Sequence, residues 1–195
     1  MEENFTKKIV NFLISAGIFI LEMLKVAVLA GITIALIRYY LFKPFYVKGA
    51  SMEPNFHEKE YLIIDELSFR FREPARGEVI VFRFPDDPKE YFLKRVIGLS
   101  GETVKVQGGK VFIYNKDNAN GFELKENYLP TDLNTEGDRT TKIGENQLFV
   151  LGDNRPNSFD SRRFGPIDKS LVVGRAWLRG WPLNKLAVFS VAENN

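Results

Sequence analysis

The chain contains no cysteine and a single histidine, His57. Without thiols there are no disulfides, no zinc–thiolate site and no cysteine nucleophile, and cysteine usage assigns no redox compartment. One histidine rules out a histidine-rich metal cluster. An excess of one charge is also missing, since 27 Lys+Arg residues stand against 25 Asp+Glu. That balance leaves no basic face or stripe of the kind nucleic acid requires, so no nucleic-acid partner is expected. No phosphate-cradling glycine loop and no ligand cluster occur, which implies neither nucleotide nor metal. There is no internal repeat and no low-complexity tract.

What is present is 195 residues, 45% of them hydrophobic, enough for one good-sized soluble domain plus an appendage. The appendage comes first. Ile9–Leu21 is apolar but short, Glu22 and Lys25 interrupt it, and Val26–Phe42 is then almost wholly apolar, with Arg38 near its end. Counted from Met23 the second run reaches about 20 residues, roughly 30 Å as a helix, which matches a hydrocarbon core. Tyr39, Tyr40 and Phe42 suit an interfacial belt, Arg38 can snorkel outward, and Pro44 stops the helix. A cleaved secretory leader would end at a small-x-small site, whereas this run ends in Tyr-Tyr-Leu-Phe-Lys-Pro, so a retained anchor is expected. The predicted division is an N-terminal segment 1–22, a transmembrane helix 23–42 and a domain 43–195. Residues 9–21 either lie along the membrane surface, extend the helix or form a second membrane segment. Lys7, Lys8 and Lys25 on one side balance Arg38, Lys43 and Lys48 on the other, so charge leaves the orientation open.

The domain reads as mainly β. Tyr61–Asp65, Glu78–Phe84 and Tyr91–Ile97 are rich in branched and aromatic residues and are separated by Pro/Gly/Asp turns. Thr103–Val106 and Lys110–Tyr114 flank Gln107-Gly108-Gly109, a hairpin signal. Strand patterning resumes at Gln147–Leu151 and Leu171–Leu178, whereas the polar stretch 115–146 reads as an inserted excursion outside the core.

Three stretches carry chemistry. Gly49-Ala50-Ser51-Met52-Glu53-Pro54-Asn55 is a rigid turn that presents a hydroxyl, although serine in such a turn is also an ordinary turn former. Lys94 lies within a strand pattern, sharing a face with Phe92 and Val96. It is either a snorkelling lysine on an edge strand or a desolvated amine acting as a general base. A pKa drop of about 3 units would cost on the order of 4 kcal/mol, which a structural lysine has no reason to bear. The third stretch, Gly152–Arg162, is dense in Gly, Asn, Asp and Ser, and its arginines and aspartates can form an ion-pair lattice.

Taken together, Ser51-Met52-x-Pro54, Arg76–Phe82, Lys94-Arg95-x-x-Gly98-x-x-Gly101-Glu102 and Gly152–Arg162 resemble, in order and spacing, the bacterial type I signal peptidases, membrane-anchored Ser-Lys proteases of family S26. The resemblance runs from about Glu22 to Trp177. It implies an antiparallel β catalytic domain behind a single transmembrane helix, in the plasma membrane, with a cytoplasmic N-terminus and an extracytoplasmic domain. It implies cleavage of signal peptides from exported pre-proteins after small residues (Ala-x-Ala type), beside membrane lipid and near the secretion translocase, with no cofactor. By similarity Ser51 is the nucleophile and Lys94 the general base. Ser158 orients the lysine amine, and Asp160 and Arg162 form a supporting ion pair with Arg95 nearby. Val47, Met52, Phe56, Phe92 and Leu93 wall the substrate pockets, and Phe45, Tyr46, Met52 and Phe56 form an apolar surface on the membrane. Many relatives carry a serine two residues before the nucleophile, where this chain has Gly49. Three other readings stay open at this stage: a Ser-His-Asp hydrolase using His57, a self-cleaving repressor with the same Ser-Lys chemistry, and an inactive tethered scaffold.

Overall fold

The computed structural model describes residues 2–40 and 42–189. The chain divides into two compact units, Met1–Leu41 and Phe42–Asn195.

The first unit is one helix, α1 (Glu2–Tyr40). It holds no proline, so nothing breaks the backbone ladder, and it passes through Glu22 and Lys25 without interruption. The segments expected separately as 9–21 and 23–42 thus lie in a single rod, with Phe42 belonging to the strand that follows. Its apolar run is Asn11–Ala35, 25 residues, roughly 37 Å of helix and long enough to cross a hydrocarbon core. Phe12, Ile20, Leu24 and Ile34 are all exposed. The expected belt of Arg38, Tyr39, Tyr40 and Phe42 falls on side chains outside the described residues.

Among its described residues the second unit has twelve antiparallel strands: β1 (Phe42–Tyr46), β2 (Tyr61–Asp65), β3 (Val79–Arg83), β4 (Tyr91–Gly98), β5 (Thr103–Gln107), β6 (Lys110–Tyr114), β7 (Phe122–Glu123), β8 (Arg139–Lys142), β9 (Gln147–Leu151), β10 (Ile167–Asp168), β11 (Val172–Trp181) and β12 (Ala187–Val188). The large sheet has the order β1-β2-β11-β3-β4-β9-β10, with β12 paired to β11, and a second sheet has the order β7-β6-β5-β8. Pro44 sits in β1, at the sheet edge, where a missing N–H leaves no ladder bond unmade. The Gln107-Gly108-Gly109 signal becomes the β5–β6 hairpin, with φ of 57° and 80° at the two glycines.

Central strands are buried on both faces, and alternate residues feed different cores. From β3, Val79 and Val81 join Val47, Met52, Phe56 and Leu93 beneath the Ser51 turn. Ile80 and Phe82 join Val96, Val150 and Ile167 on the opposite face. Ile97, near the end of β4, belongs to the core of the second sheet with Val104, Ile113 and Phe149. Residues 115–146 are therefore only partly an excursion, since they supply β7 and β8 to the second sheet and bury Leu124 and Ile143 in its core.

Where β4 leaves the large sheet, Gly98 leaves no room for a side chain. A Cβ there would stand 2.3 Å from Ile143 Cδ1 and 2.4 Å from Val104 Cγ2, both fully buried. Gly98→Ala is expected to destabilise the domain by about 1–3 kcal/mol through overpacking, read as a lowered thermal midpoint.

Candidate active site

Ser51 lies in a turned segment between β1 and β2 that is closed by its own backbone: Glu53 N donates to Ala50 O (3.2 Å) and Phe56 N to Met52 O (2.9 Å). Met52 and Phe56 plug this segment into the core beneath it, which fixes the height of the hydroxyl. Gly49 enters the turn with φ +78°, a conformation that strains any L side chain. A serine there would have to bear that strain or change the turn.

Lys94 comes from the middle of β4 and is only 4% exposed. Its Nζ donates to Ser51 Oγ at 2.8 Å and to the carbonyl of Leu93 at 3.0 Å, and stands 5.2 Å from the Phe92 ring centre. Burial pulls the amine down from an ordinary 10.5 to about 8, against the opposing pull of the Asp160 and Asp153 carboxylates. Desolvation wins because each carboxylate already has a bidentate arginine of its own.

Those pairs belong to the loop after β9. Asp153 accepts from Arg95 Nε (2.8 Å) and Nη2 (2.6 Å), and Arg95 also donates to Gly77 O. Asp160 accepts from Arg162 Nε (2.9 Å) and Nη2 (2.8 Å) and from the Gly152 N–H (3.1 Å), and caps the short helix α2 (Ser161–Phe164). Three bonds stitch this loop to the Ser51 turn: Asn154 N to Ser51 O (3.1 Å), Asn154 Nδ2 to Ala50 O (3.0 Å), and Asn55 Nδ2 to Asp153 Oδ2 (2.9 Å). At the seam only glycine fits, because a Cβ on Gly152 would stand 2.4 Å from the Ser51 carbonyl oxygen and 2.2 Å from Ser158 Oγ.

The hydroxyl and the amine open onto a groove of about 690 Å³ lined by residues 45–52, 89–94, Asn157 and Phe159. β3 pairs with Tyr91–Arg95, but β9 pairs only from Arg95 onward, so the β9 side of residues 91–94 is an open strand edge. Among the described residues β1 is likewise unpaired on its outer side.

A family model described as "Signal peptidase, peptidase S26" matches residues 20–181. The chain belongs to this family. It is 37% identical over 175 residues to "Probable signal peptidase I-2" of a Synechocystis species, covering 87% of this chain and 77% of that protein. It is 39% identical to "Signal peptidase I" of Leptolyngbya laminosa over 77% of this chain and 74% of the relative. A crystal structure of a signal peptidase I from Enterococcus faecalis V583 is 33% identical, covers 53% of this chain and 97% of the other, and aligns with a TM-score of 0.45.

Of the residues singled out in this S26 chain, Ser51 and Lys94 meet directly, while Arg162 holds Asp160 and Arg95 holds Asp153. Ser158 is buried, but its hydroxyl has no hydrogen-bond partner, so the expected bond to Lys94 is not made. Val47, Met52, Phe92 and Leu93 line the groove. Phe56 does not: it lines a separate small cavity with Gly77 and Arg175 and packs on Phe189 (4.6 Å between ring centres). Met52 and Phe56, 2% and 1% exposed, are also withdrawn from the apolar surface expected to meet a membrane, because both are core plugs of the turn. His57 is half-exposed, 3.4 Å from Glu60, and lines no part of the groove. Residue patterns alone missed Asn55, Asn154 and Phe159; the Asn-rich composition of the loop was the available signal, but its partners lie about a hundred residues away.

The depressed amine has a consequence for stability. Between about 8 and 10.5 the unfolded chain carries a proton on Lys94 that the folded chain does not, so stability rises with pH across that window. Below about 8 the buried ammonium costs on the order of 3 kcal/mol. Lys94→Met, which fills a similar volume without charge, is expected to melt higher than wild type at neutral pH by a few degrees, about 1–3 kcal/mol. The gap should narrow as pH approaches 10, measured by thermal denaturation across pH.

Proposed function

We propose that this protein is a membrane-bound serine endopeptidase that removes N-terminal signal peptides from exported pre-proteins, with Ser51 as nucleophile and Lys94 as its base. The reading is carried by one observation: an almost fully buried amine 2.8 Å from a hydroxyl at the head of an open groove. In the neutral form the direction of that hydrogen bond reverses, and Ser51 O–H donates to Lys94 Nζ. Attack of Oγ on the scissile carbonyl passes the proton to Nζ, and the resulting ammonium returns it to the leaving amine as the tetrahedral adduct collapses. A water deprotonated by the same amine then hydrolyses the acyl ester at Ser51. The Ser51 N–H makes no hydrogen bond among the described residues and is free to hold the oxyanion, which suits a chain with Gly49 where relatives place a serine.

Substrate enters as an extended strand, since the groove lies between the open edges of β1 and β4, where main-chain pairing supplies affinity. Val47, Met52 and Leu93 pack tightly at its floor, which favours small side chains beside the scissile bond. The Asn11–Ala35 run is the single-pass anchor, with the N-terminus cytoplasmic and residues 43–195 extracytoplasmic, near the translocase that delivers pre-proteins. Tyr46, Tyr61 and Trp181 are exposed and occupy adjacent register positions at one end of the sheet, a cluster suited to resting at a lipid boundary. The His57 hydrolase reading has no support from the position of that ring, which lines no part of the groove.

In a detergent assay on a pre-protein, Ser51→Ala and Lys94→Ala should each lose about 10³-fold or more in kcat/KM while staying folded, and His57→Ala should stay near wild type. Because the base acts unprotonated, kcat/KM should climb with pH through a limb centred at about 8. Cleavage by Ser51→Ala at the wild-type rate would overturn the assignment.

A further inference from the structure

Among the described residues Arg155 is the largest fully buried side chain, and its carboxylate and hydroxyl partners come from the stretch expected to be an excursion. Its guanidinium donates to both carboxylate oxygens of Glu126 (2.8 Å to Oε2, with a closer contact to Oε1), to Thr135 Oγ1, and through Nε to Gly152 O at 3.1 Å. Glu126 Oε1 also accepts from the Tyr128 hydroxyl at 2.6 Å. The face of the Tyr128 ring lies 4.0 Å from the Arg95 guanidinium carbon, and the Tyr128 carbonyl accepts from Asn55 Nδ2 at 2.8 Å. One carboxylate and one phenol ring, two residues apart, therefore touch the β9 loop through Arg155 and β4 through Arg95, while the Tyr128 main-chain carbonyl ties the same segment to the Ser51 turn through Asn55. A buried arginine fork in a bidentate grip has one orientation, which an apolar contact of equal area would not impose.

We propose that Glu126 and Tyr128 are positioning residues for Lys94: by gripping Arg155 and Arg95 they hold the 152–158 loop closed over the amine and keep water from it. The inference rests on the Ser51–Lys94 reading above. The groups facing the amine are Asp153 and Asp160 from the loop, each on its own arginine, Ser51 from the turn, and Phe92 and the Leu93 carbonyl from β4. The neighbouring strand β3 places only Ile80 opposite, and Lys89 and Glu90 line the same groove. Loosening the loop would hydrate the amine and move it back toward its ordinary value.

The test uses the full chain in detergent, with kcat and KM measured on a pre-protein from pH 6 to 10. Glu126→Gln should lower kcat about tenfold at neutral pH, leave KM within about twofold, and shift the acid limb above its wild-type position of about 8. Glu126→Asp, which keeps the charge, should recover part of both effects. Tyr128→Phe keeps the ring over Arg95 and should shift the limb in the same direction by less; it decides the matter if Glu126→Gln does not fold. A limb that stays in place in the folded variants, whether or not kcat falls with the thermal midpoint, would reduce the two residues to ordinary structural ties and overturn the proposal. Ser51→Ala in the same assay separates the two readings: if it is dead while the limb is unmoved, only this inference fails, and if it is active the Ser–Lys assignment fails with it.

Discussion

The proposed chemistry depends on keeping an amine dry. Lys94 leaves the centre of a strand that belongs to both halves of the domain, and its short contact with Ser51 can serve that chemistry only while the nitrogen has a lone pair to offer. Nearby carboxylates would ordinarily secure the charged form. Asp153 and Asp160 are both fully buried close by, yet each is committed to an arginine through two hydrogen bonds, which leaves only a residual pull on the lysine. The loop thus combines rigid polar packing with a weak net field at the nitrogen, an arrangement that neither apolar residues nor unpaired acids would produce.

Much of this was legible in the chain. The alternation of branched residues in 61–65, 103–106 and 110–114 places strands at or within a residue of where they form, because period-two burial leaves a strong local mark. Ser51 and Lys94 could be paired because each sits in a pattern that is informative only in the company of the other. What stayed hidden was long-range. β1 has the composition of a helix end, with Pro44 reading as a stop, and becomes a strand only through pairing with β2. Glu126 and Tyr128 look like solvated polar residues in a charged stretch, and nothing local marks their attachment to Arg155 and Arg95. Phe56 and Met52 illustrate the reverse problem, since apolar residues beside a nucleophile are equally suited to a pocket wall and to a core plug.

The second sheet is tied to the candidate site without lining its groove. Ile97 and Gly98 carry β4 into it, and its connecting segment returns to grip the loop from behind. The loop after β9 is held between the Ser51 turn and this second layer, and Arg155, bonded to Glu126 and Thr135 on one side and Gly152 O on the other, is buried between them.

The unpaired rim of β4 has a consequence for which chains can be processed. A peptide that bonds to such a rim must arrive with its own amides free, so any stretch already wound into a helix or laid into a sheet has first to be melted out. For the proposed endopeptidase, susceptibility would then follow how cheaply a segment can straighten as well as the size of its side chains. A finished, folded protein would resist by virtue of being folded, even where its composition would suit the groove.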